Sequence, residues 1–312
     1  MKILVTGAAG FIGSHVSEAL LKEGHDVIGV DNLDPYYDIK AKEDNLKLLK
    51  RHRNFIFYKE DIRDAEALRK IFSKEKPDKV AHLAAKAGVR PSMAEPETYR
   101  QVNVSGTENL LKLACEFRAR NFVFGSSSSV YGLHDVPFRE DAELEPISPY
   151  ADTKKQAEEL CRQYHEKCNM PVTILRFFTV YGPRGRPDMA VYKFTALINE
   201  GKQVEVYGDG ETSRDYTYVD DIVSGVVAAL EKNYPFEIFN LGNSATAKLR
   251  ELISTIEKAL GKKAKIKQMP MQPGDVPITY ADISKSRKML GYNPKTRIEE
   301  GVRKFVEWYK RH

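Results

Sequence analysis

Tyr150 and Lys154 are four residues apart, a spacing that places a phenol and an ammonium group on the same face of a helix. A phenol with a pKa of about 10 is a poor base at neutral pH, and a neighbouring cation favours its ionised form and lowers that pKa. Tyr150 is therefore a candidate general base that removes a proton from a substrate hydroxyl. The spacing alone is weak evidence, because Tyr36 and Lys40 share it.

A run of serines gives the Tyr150 pair a context that the other pair lacks. Residues 126–129 are all serine, and they follow an apolar segment at 121–125 whose composition is typical of a β-strand. In an open parallel sheet, ligands bind beyond the carboxyl ends of the strands. We therefore expect the hydroxyl of Ser127 to hydrogen-bond and align the same substrate oxygen as Tyr150.

A second motif predicts a dinucleotide site. Three glycines follow a predicted strand at 2–6 and open a predicted helix at 11–23. In this arrangement the first glycine permits a tight turn, the second lets the backbone approach a pyrophosphate, and the third lets helix and strand pack closely. The helix N-terminus offers free N–H groups and the positive end of its dipole to the phosphates. The predicted cofactor contacts of this loop are Gly7, Gly10, Phe11, Ile12 and Gly13.

An acidic residue at the end of the second predicted strand selects the cofactor. Asp31 lies 18 residues after Gly13 and is followed by Asn32, a position from which a carboxylate accepts hydrogen bonds from the ribose hydroxyls. The same charge repels a 2′-phosphate, so the sequence predicts NAD rather than NADP. Tyr150 would then take a proton from a substrate hydroxyl while a hydride leaves for NAD.

Strand and helix signals alternate through the first 180 residues. Apolar segments rich in β-branched residues occur at 2–6, 26–30, 54–58, 78–83, 121–125 and 171–176. Helical spacing occurs at 11–23, 64–75, 94–118 and 149–168, and later at 189–200, 219–232, 247–260 and 298–310. This alternation predicts an α/β fold, a Rossmann doubly wound parallel sheet. We expect an NAD-binding domain at 1–180 and a smaller, mixed α/β substrate-binding lobe at 181–312, with some segments crossing back.

Composition excludes several classes of protein. The 312 residues carry 49 basic and 44 acidic side chains, a formal net charge of +5, and 42% are hydrophobic, which excludes disordered and coiled-coil chains. The sequence has no long basic run that would predict nucleic acid as a partner. No apolar run approaches the ~20 residues that span a bilayer. The sparse cysteines Cys115, Cys161 and Cys168 lack metal-ligand spacing and suit a reducing compartment. We therefore expect a soluble, cytoplasmic protein without a metal.

These motifs resemble those of the extended short-chain dehydrogenases/reductases, in the branch of nucleotide-sugar epimerases and dehydratases. The resemblance covers essentially the whole chain and is carried by residues 6–13, 61–62, 82–85, 103–107, 150–154, 214–216 and 219–221. It implies that Asp61 and Ile62 flank the adenine and that Lys154 contacts the nicotinamide ribose. The residues that it places along the cofactor are Leu83, Ala84 and Ala85.

Within this branch, the segments at 31–38, 87–90 and 176–190 most resemble the UDP-glucuronate 4-epimerases. This resemblance implies that Thr179 and Arg186 approach the sugar, with the planar guanidinium of Arg186 near its carboxylate. It further implies that Arg214 contacts the diphosphate. The other substrate contacts predicted in this way are Arg90, Ser127, Ser128 and Ser129, Val206 near the uracil and Asp275 at the uridine ribose.

The outcome after oxidation depends on the turn after the fifth strand. Dehydratases of this branch place an acidic pair there and the decarboxylases place a glutamate, whereas this chain has Ser128 and Ser129. Because elimination then lacks its acid and base, we expect 4-epimerisation of UDP-glucuronate to UDP-galacturonate through a 4-keto intermediate. A UDP-glucose/UDP-galactose 4-epimerase, a GDP- or dTDP-sugar enzyme and a cofactor-sensing protein remain alternatives. The helices at 94–118 and 149–168 resemble the pair that joins subunits in this family, which predicts a homodimer.

Overall fold

The computed structural model of the protein describes residues 1–270 and 276–312, and a parallel β-sheet is its central element. The strands are β1 Lys2–Thr6, β2 Asp26–Val30, β3 Phe55–Tyr58, β4 Lys79–His82, β5 Asn121–Ser127, β6 Val172–Phe177, β7 Thr179–Tyr181, β8 Gln203–Tyr207, β9 Ser213–Arg214, β10 Tyr216–Tyr218, β11 Phe236–Leu241, β12 Ala247–Lys248 and β13 Lys265–Met269.

The helices cover both faces of this sheet and build most of the second lobe. They are α1 Phe11–Lys22, α2 Ile39–Leu49, α3 Ala65–Glu75, α4 Val89–Ala94, α5 Pro96–Arg100, α6 Gly106–Glu116, α7 Pro149–Cys168, α8 Ala190–Asn199, α9 Val219–Glu231, α10 Leu249–Leu260, α11 Ser284–Leu290 and α12 Ile298–Tyr309. Within the described part of the chain, none of them has both the length and the hydropathy to cross a bilayer.

The main sheet has seven strands in the order β11-β6-β5-β4-β1-β2-β3, and every neighbouring pair is parallel. Adjacent residues of a strand face opposite sides, and β1 shows the result. Ile3 and Val5 lie in the apolar core that includes α1 and α9, whereas Leu4 lies in the core that includes α3, α6 and α7. The predicted doubly wound α/β fold is confirmed, and all six predicted strands belong to this sheet.

The seventh strand was not predicted. β11 comes from the part of the chain assigned to the second lobe, crosses back, and pairs with β6, so that Asn240 lies opposite Arg176. Helices α2 and α11 were also missed. In α2 the buried positions include Lys42 and Asn45, so the helix has no continuous apolar stripe from which it could be predicted.

The single helix predicted over 94–118 is interrupted. Pro96 begins α5 after a break, and a π-helical turn at Gln101–Ser105 separates α5 from α6. Within this wide turn the amide of Asn103 binds the backbone of Lys86 in both directions and donates to the hydroxyl of Thr153 on α7. The turn therefore joins the loop after β4 to the helix that carries Tyr150.

The second lobe is built around short strand pairs and three helices. β8 and β13 are parallel, β7 pairs with β10, and β9 pairs with β12 in the antiparallel sense. Helix α10 packs against α8 and α12, and its buried positions Leu252, Ile253, Ile256 and Leu260 form one apolar face. This lobe places a second wall opposite the carboxyl edge of the main sheet.

Two of the three cysteines form a disulfide, which the sequence analysis did not predict. Cys115 at the end of α6 and Cys168 at the end of α7 form a disulfide with a Cα–Cα distance of 6.0 Å, and Cys161 is free and buried. The two residues are 53 positions apart, and their spacing along the chain does not indicate that they meet. The bond joins the helix that carries Tyr150 and Lys154 to its neighbour.

Reduction of this disulfide should destabilise the protein. Because the two cysteines are 53 residues apart, loop-closure entropy predicts a loss of up to ~4 kcal/mol in the free energy of unfolding. Urea denaturation with and without dithiothreitol measures it. The Cys115→Ser/Cys168→Ser variant is the matched control, since the reductant should not change its midpoint. An equal effect of dithiothreitol on both proteins would contradict the prediction.

Candidate active site

A cavity of about 660 Å³ lies between the carboxyl edge of the main sheet and the second lobe. The sequence-predicted residues that line it are Gly7, Gly10, Phe11, Ile12, Gly13, Asp31, Asn32, Asp61, Ile62, Leu83, Ala84, Ala85, Arg90, Ser127, Ser128, Ser129, Tyr150, Lys154, Thr179, Arg186 and Arg214. Asp275 lies outside the described residues. The cavity therefore brings together predicted site residues that are up to 207 positions apart, from Gly7 to Arg214.

Val206 does not line the cavity, and its predicted contact with the base is corrected. Its side chain is 4% exposed and belongs to the apolar core, as does that of Val204. Because side chains alternate along a strand, Glu205 and Tyr207 of β8 face the cavity instead. The guanidinium of Arg90 lies 5.2 Å from the centre of the Tyr207 ring.

The glycine loop has the shape that a pyrophosphate requires. Gly7 has a φ of +71°, and a Cβ on Gly13 would lie 2.0 Å from the carbonyl oxygen of Gly7, so only glycine fits at position 13. Gly10 caps α1 without a side chain, and the first N–H groups of this helix, at Phe11 and Ile12, border the cavity. Such groups bind anions at helix N-termini.

Two carboxylates mark the adenosine end of the cavity. Asp31 is almost buried and accepts hydrogen bonds from the backbone of Ala9 at 3.1 Å and of Leu33 at 2.8 Å. Asp61 accepts two hydrogen bonds from the guanidinium of Arg63, one from the backbone N–H of Arg63 and one from Asn32, and these bonds lower its pKa to about 2. Donors thus anchor both carboxylates at the border of the cavity.

A buried histidine fixes the loop that lines the middle of the cavity. His82 lies between the hydroxyls of Thr6 at 2.7 Å and Thr107 at 2.9 Å, and burial lowers its pKa to about 3. Thr107 donates to a backbone carbonyl, so it accepts from Nε2–H of the neutral imidazole. Thr6 then donates to Nδ1, and its oxygen accepts from the backbone N–H groups of Leu83 and Ala84.

Ser127 and Tyr150 meet at the end of β5. Ser127 Oγ lies 3.1 Å from Ser129 Oγ and accepts from the backbone N–H of Ser129, and its hydroxyl acts on the phenol of Tyr150 so as to favour loss of the phenol proton. Burial raises the pKa of Tyr150, while the hydrogen bond from Ser127 and the positive charge of Arg186 oppose that rise. The predicted pair of a hydroxyl and a phenol is therefore present in the structure.

A second cation that we did not expect acts on this phenol, in addition to the predicted Lys154. Lys154 donates to the carbonyl oxygen of Gly125 at 2.7 Å, and its buried position lowers its own pKa to about 8. The positive charge of Arg186 acts to lower the pKa of Tyr150. The prediction from spacing was incomplete because Lys154 has a closer acceptor on β5 and Arg186 arrives from a loop 36 residues further along the chain.

The loop after β7 carries Arg186 and is tied to α1. Arg184, which has a φ of +61°, forms an ion pair with Glu18, and His15 hydrogen-bonds the carbonyl of Pro183 at 2.9 Å. The guanidinium of Arg186 is 18% exposed and pairs with Asp188 through Nε at 3.0 Å and Nη2 at 2.5 Å. The loop thus presents a mostly buried cation to the cavity near Tyr150.

A buried ion pair lies next to β5, the strand that carries Ser127. Glu158 on α7 receives two hydrogen bonds from Arg176 on β6, at 3.0 and 2.7 Å, and a third from Ser126 at 2.5 Å. The two charged side chains are 2% and 6% exposed. Arg176 also donates to Tyr131, and the charge of Glu158 raises the pKa of Lys154 against the effect of burial.

Sequence similarity places the chain among known proteins. A family model described as GDP-mannose 4,6 dehydratase matches residues 4–305. The chain belongs to this family. It is 45% identical to the UDP-glucuronate 4-epimerase of Thermodesulfobacterium geofontis over 98% of this chain and 95% of that protein.

Two solved structures of family members are similar to this one over nearly their whole length. One is the UDP-glucuronic acid 4-epimerase of Bacillus cereus in complex with UDP-glucuronic acid and NAD, with a TM-score of 0.95, 40% identity and coverage of 100% and 99% of the two chains. The other is the UDP-glucose 4-epimerase of Thermotoga maritima with UDP-glucose, with a TM-score of 0.92, 36% identity and the same coverage. The predicted resemblance to nucleotide-sugar epimerases is confirmed.

Sequence reasoning did not predict several residues of the site. Tyr36 and Asp188 both line the cavity. The sequence analysis used Tyr36 only as an example of the same spacing, with Lys40. Asp188 could have been suspected only from its position two residues after Arg186. Glu158 is four residues after Lys154, which reads equally well as an exposed helical ion pair.

Loss of the Glu158 charge should destabilise the fold strongly. In Glu158→Gln the guanidinium of Arg176 stays buried without a counter-charge, which costs ~3–5 kcal/mol in the free energy of unfolding. Ser126→Ala, which removes one neutral partner of the same carboxylate, should cost only about 1 kcal/mol. Urea denaturation measures both variants. A loss below 1 kcal/mol for Glu158→Gln would contradict this view of the pair.

Proposed function

We propose that this chain catalyses the NAD-dependent 4-epimerisation of UDP-glucuronate to UDP-galacturonate. The observation that carries the proposal is the mostly buried guanidinium of Arg186 beside the Ser127–Tyr150 pair. A phenol and a hydroxyl can handle the proton of a sugar hydroxyl, and a guanidinium near them matches a carboxylate on the same sugar. The two solved structures above add support, since one contains UDP-glucuronic acid and NAD.

The residues of the main-sheet half fit NAD. The glycine cradle and the open N-terminus of α1 suit the pyrophosphate, and the anchored carboxylate of Asp31 suits a ribose with two free hydroxyls. Ile62 and Asp61, which line the cavity, would flank the adenine, and Leu83 and Ala84 would contact the middle of the cofactor. When bound, NAD accepts a hydride from a sugar carbon and returns it.

Tyr150 and Ser127 handle the proton of the sugar 4-hydroxyl. Ser127 aligns the oxygen, and Tyr150 takes its proton during oxidation and gives it back during reduction. Since burial raises the pKa of Tyr150, the opposing charge of Arg186 and the hydrogen bond of Ser127 ease the loss of the phenol proton. Lys154 is fixed at the Gly125 carbonyl, where its ammonium would meet the nicotinamide ribose.

Arg186 and Thr179 would hold the sugar carboxylate. Oxidation at carbon 4 turns a glucuronate into a β-keto acid, which loses carbon dioxide fastest when the breaking bond is perpendicular to the carbonyl plane. A guanidinium that donates two parallel hydrogen bonds fixes the plane of the carboxylate and its position. With the hydroxyls at 127–129, it would keep the group away from that geometry. Ser128 and Ser129 also leave elimination without an acid.

The second lobe would hold the nucleotide while the sugar turns. Arg214 on β9 and Tyr207 on β8 line the cavity on this side, with Arg90 stacked on the Tyr207 ring. A cation at the diphosphate and an aromatic ring give an anchor that does not depend on the orientation of the sugar. The 4-keto sugar can then present its other face to the same cofactor, which inverts carbon 4.

We also propose a homodimer joined through α6 and α7, as the family resemblance implies. These two helices pack against each other and are linked by the disulfide. A cytoplasmic location stays a prediction. The disulfide weakens the argument that the cysteines gave for it, because disulfides persist mainly in oxidising compartments.

Tyr150→Phe should abolish turnover. Without the phenol oxygen there is no base for the 4-hydroxyl, so incubation with UDP-glucuronate and NAD should give UDP-galacturonate at least ~1,000-fold more slowly by NMR. NAD binding should stay within about threefold, since the ring remains in place. Tyr164→Phe, on the same helix and hydrogen-bonded to Glu108, is the matched control and should keep wild-type turnover. Turnover by Tyr150→Phe would exclude this residue as the base.

Arg186→Ala should impair the reaction of the acidic sugar UDP-glucuronate specifically. We expect the KM for UDP-glucuronate to rise ~100-fold and the decarboxylated UDP-pentose by-product to increase, because the carboxylate loses its fork. The activity that remains should need a higher pH, since removal of this cation raises the pKa of Tyr150 further.

The same experiment decides between the two candidate substrates. UDP-glucose, fed in parallel to the wild-type protein, should isomerise poorly. Efficient conversion of UDP-glucose, together with an unchanged KM and by-product for UDP-glucuronate in Arg186→Ala, would favour a neutral-sugar 4-epimerase instead.

A further inference from the structure

Asp188 occupies one edge of the Arg186 guanidinium. Its two carboxylate oxygens accept from Nε at 3.0 Å and from Nη2 at 2.5 Å. A guanidinium has five N–H donors, so three remain, two on Nη1 and one on Nη2. The phenol of Tyr36 also interacts with this guanidinium, which lines the cavity. Among the described residues, Asp188 is the one carboxylate that pairs with it. One fork of this cation is therefore filled by a carboxylate of the protein and the other is not.

Tyr36 locks this pair from a different loop. Its hydroxyl donates to Asp188 Oδ2 at 3.2 Å, and its ring centre lies 5.2 Å from the guanidinium carbon of Arg186. The backbone N–H of Tyr36 donates to Asp34 at 2.9 Å, and a Cβ on Gly88 would lie 3.1 Å from the Tyr36 hydroxyl. Loops after β2, β4 and β7 thus meet around one tyrosine ring.

We propose that Asp188 is a positioning residue that turns the unfilled fork of Arg186 toward the sugar, with Tyr36 fixing the pair. This inference rests on the function proposed above and adds the residues that set its preference for an acidic sugar. Asp188 itself does not touch the substrate in this account. Its carboxylate satisfies the Nε/Nη2 edge, which leaves the Nη1/Nη2 edge as the only one that a second carboxylate can use.

The consequence is a selective loss when Asp188 is removed. Without Asp188, the guanidinium of Arg186 can rotate about its side-chain bonds. Part of the binding free energy of the sugar carboxylate is then lost in ordering that guanidinium. A neutral sugar does not use the fork, and its binding should not change. The opposite view, in which Asp188 competes with the substrate for Arg186, predicts tighter binding of the acidic sugar when the Asp188 charge is lost.

Asp188→Asn tests the inference, because it removes the charge and keeps the shape. We expect the KM for UDP-glucuronate to rise about tenfold, with kcat changed by less than about threefold and more UDP-pentose by-product. The dissociation constants of UDP and UDP-glucose, measured by calorimetry, should stay within about twofold. Tyr36→Phe should shift the KM in the same direction by about threefold. Asp44→Asn, which breaks a surface pair with Lys47, is the control.

The outcomes separate the inference from the proposed function. Equal losses for UDP-glucuronate, UDP-glucose and UDP would give Asp188 a merely structural role and overturn the inference. A lower KM for UDP-glucuronate would make Asp188 a competitor and also overturn it. Either result leaves the proposed function intact, provided that the wild-type enzyme epimerises UDP-glucuronate. A wild-type protein that does not bind this substrate would overturn both.

Discussion

A mostly buried guanidinium imposes the main constraint on the sugar half of this site. The charge of Arg186 cannot stay desolvated without anionic or polar partners, and Asp188 fills one of its two edges. The same charge opposes the effect of burial on Tyr150. In the proposed function, recognition of the acidic sugar and ionisation of Tyr150 therefore depend on one side chain, which links the choice of sugar to the chemistry.

The main sheet makes this arrangement possible. β5 delivers Ser127 to the carboxyl edge, α7 returns across it with Tyr150 and Lys154, and the Glu158–Arg176 pair fastens α7 to β6 behind them. These contacts lie among elements that are already buried, so the reacting groups have little freedom before a ligand arrives. The second lobe adds the opposite wall, with side chains from β8 and β9 facing the cavity.

The residues that local patterns assign to the cofactor all line one cavity. The glycine loop, Asp31 and the Tyr150–Lys154 helix each depend on a few neighbouring residues, and the structure brings their side chains or backbone to one cavity. Strand alternation explains why Val206 was misplaced, since its neighbours carry the cavity-facing side chains. Hydropathy identified six of the seven main-sheet strands, but not β11, which lies far along the chain.

Contacts between residues far apart in the sequence account for the features that the sequence analysis did not predict. Nothing near Tyr150 in the sequence indicates that Arg186 supplies the cation, that Tyr36 crosses to Asp188, or that Cys115 meets Cys168. Such contacts depend on where loops end in three dimensions, and spacing along one helix cannot report them. The interruption of the helix around Asn103 could not be predicted for the same reason, because Asn103 in the wide turn hydrogen-bonds residues that are distant in the sequence.

The central claim is that a single site oxidises carbon 4 of UDP-glucuronate and returns the same hydride to the opposite face. The most direct test is to incubate the enzyme in ordinary water with UDP-glucuronate that carries deuterium at carbon 4, and to locate the label by NMR and mass spectrometry. The account predicts UDP-galacturonate with the deuterium still at carbon 4, because only the hydroxyl proton passes through Tyr150. Product with solvent hydrogen at carbon 4 would contradict it.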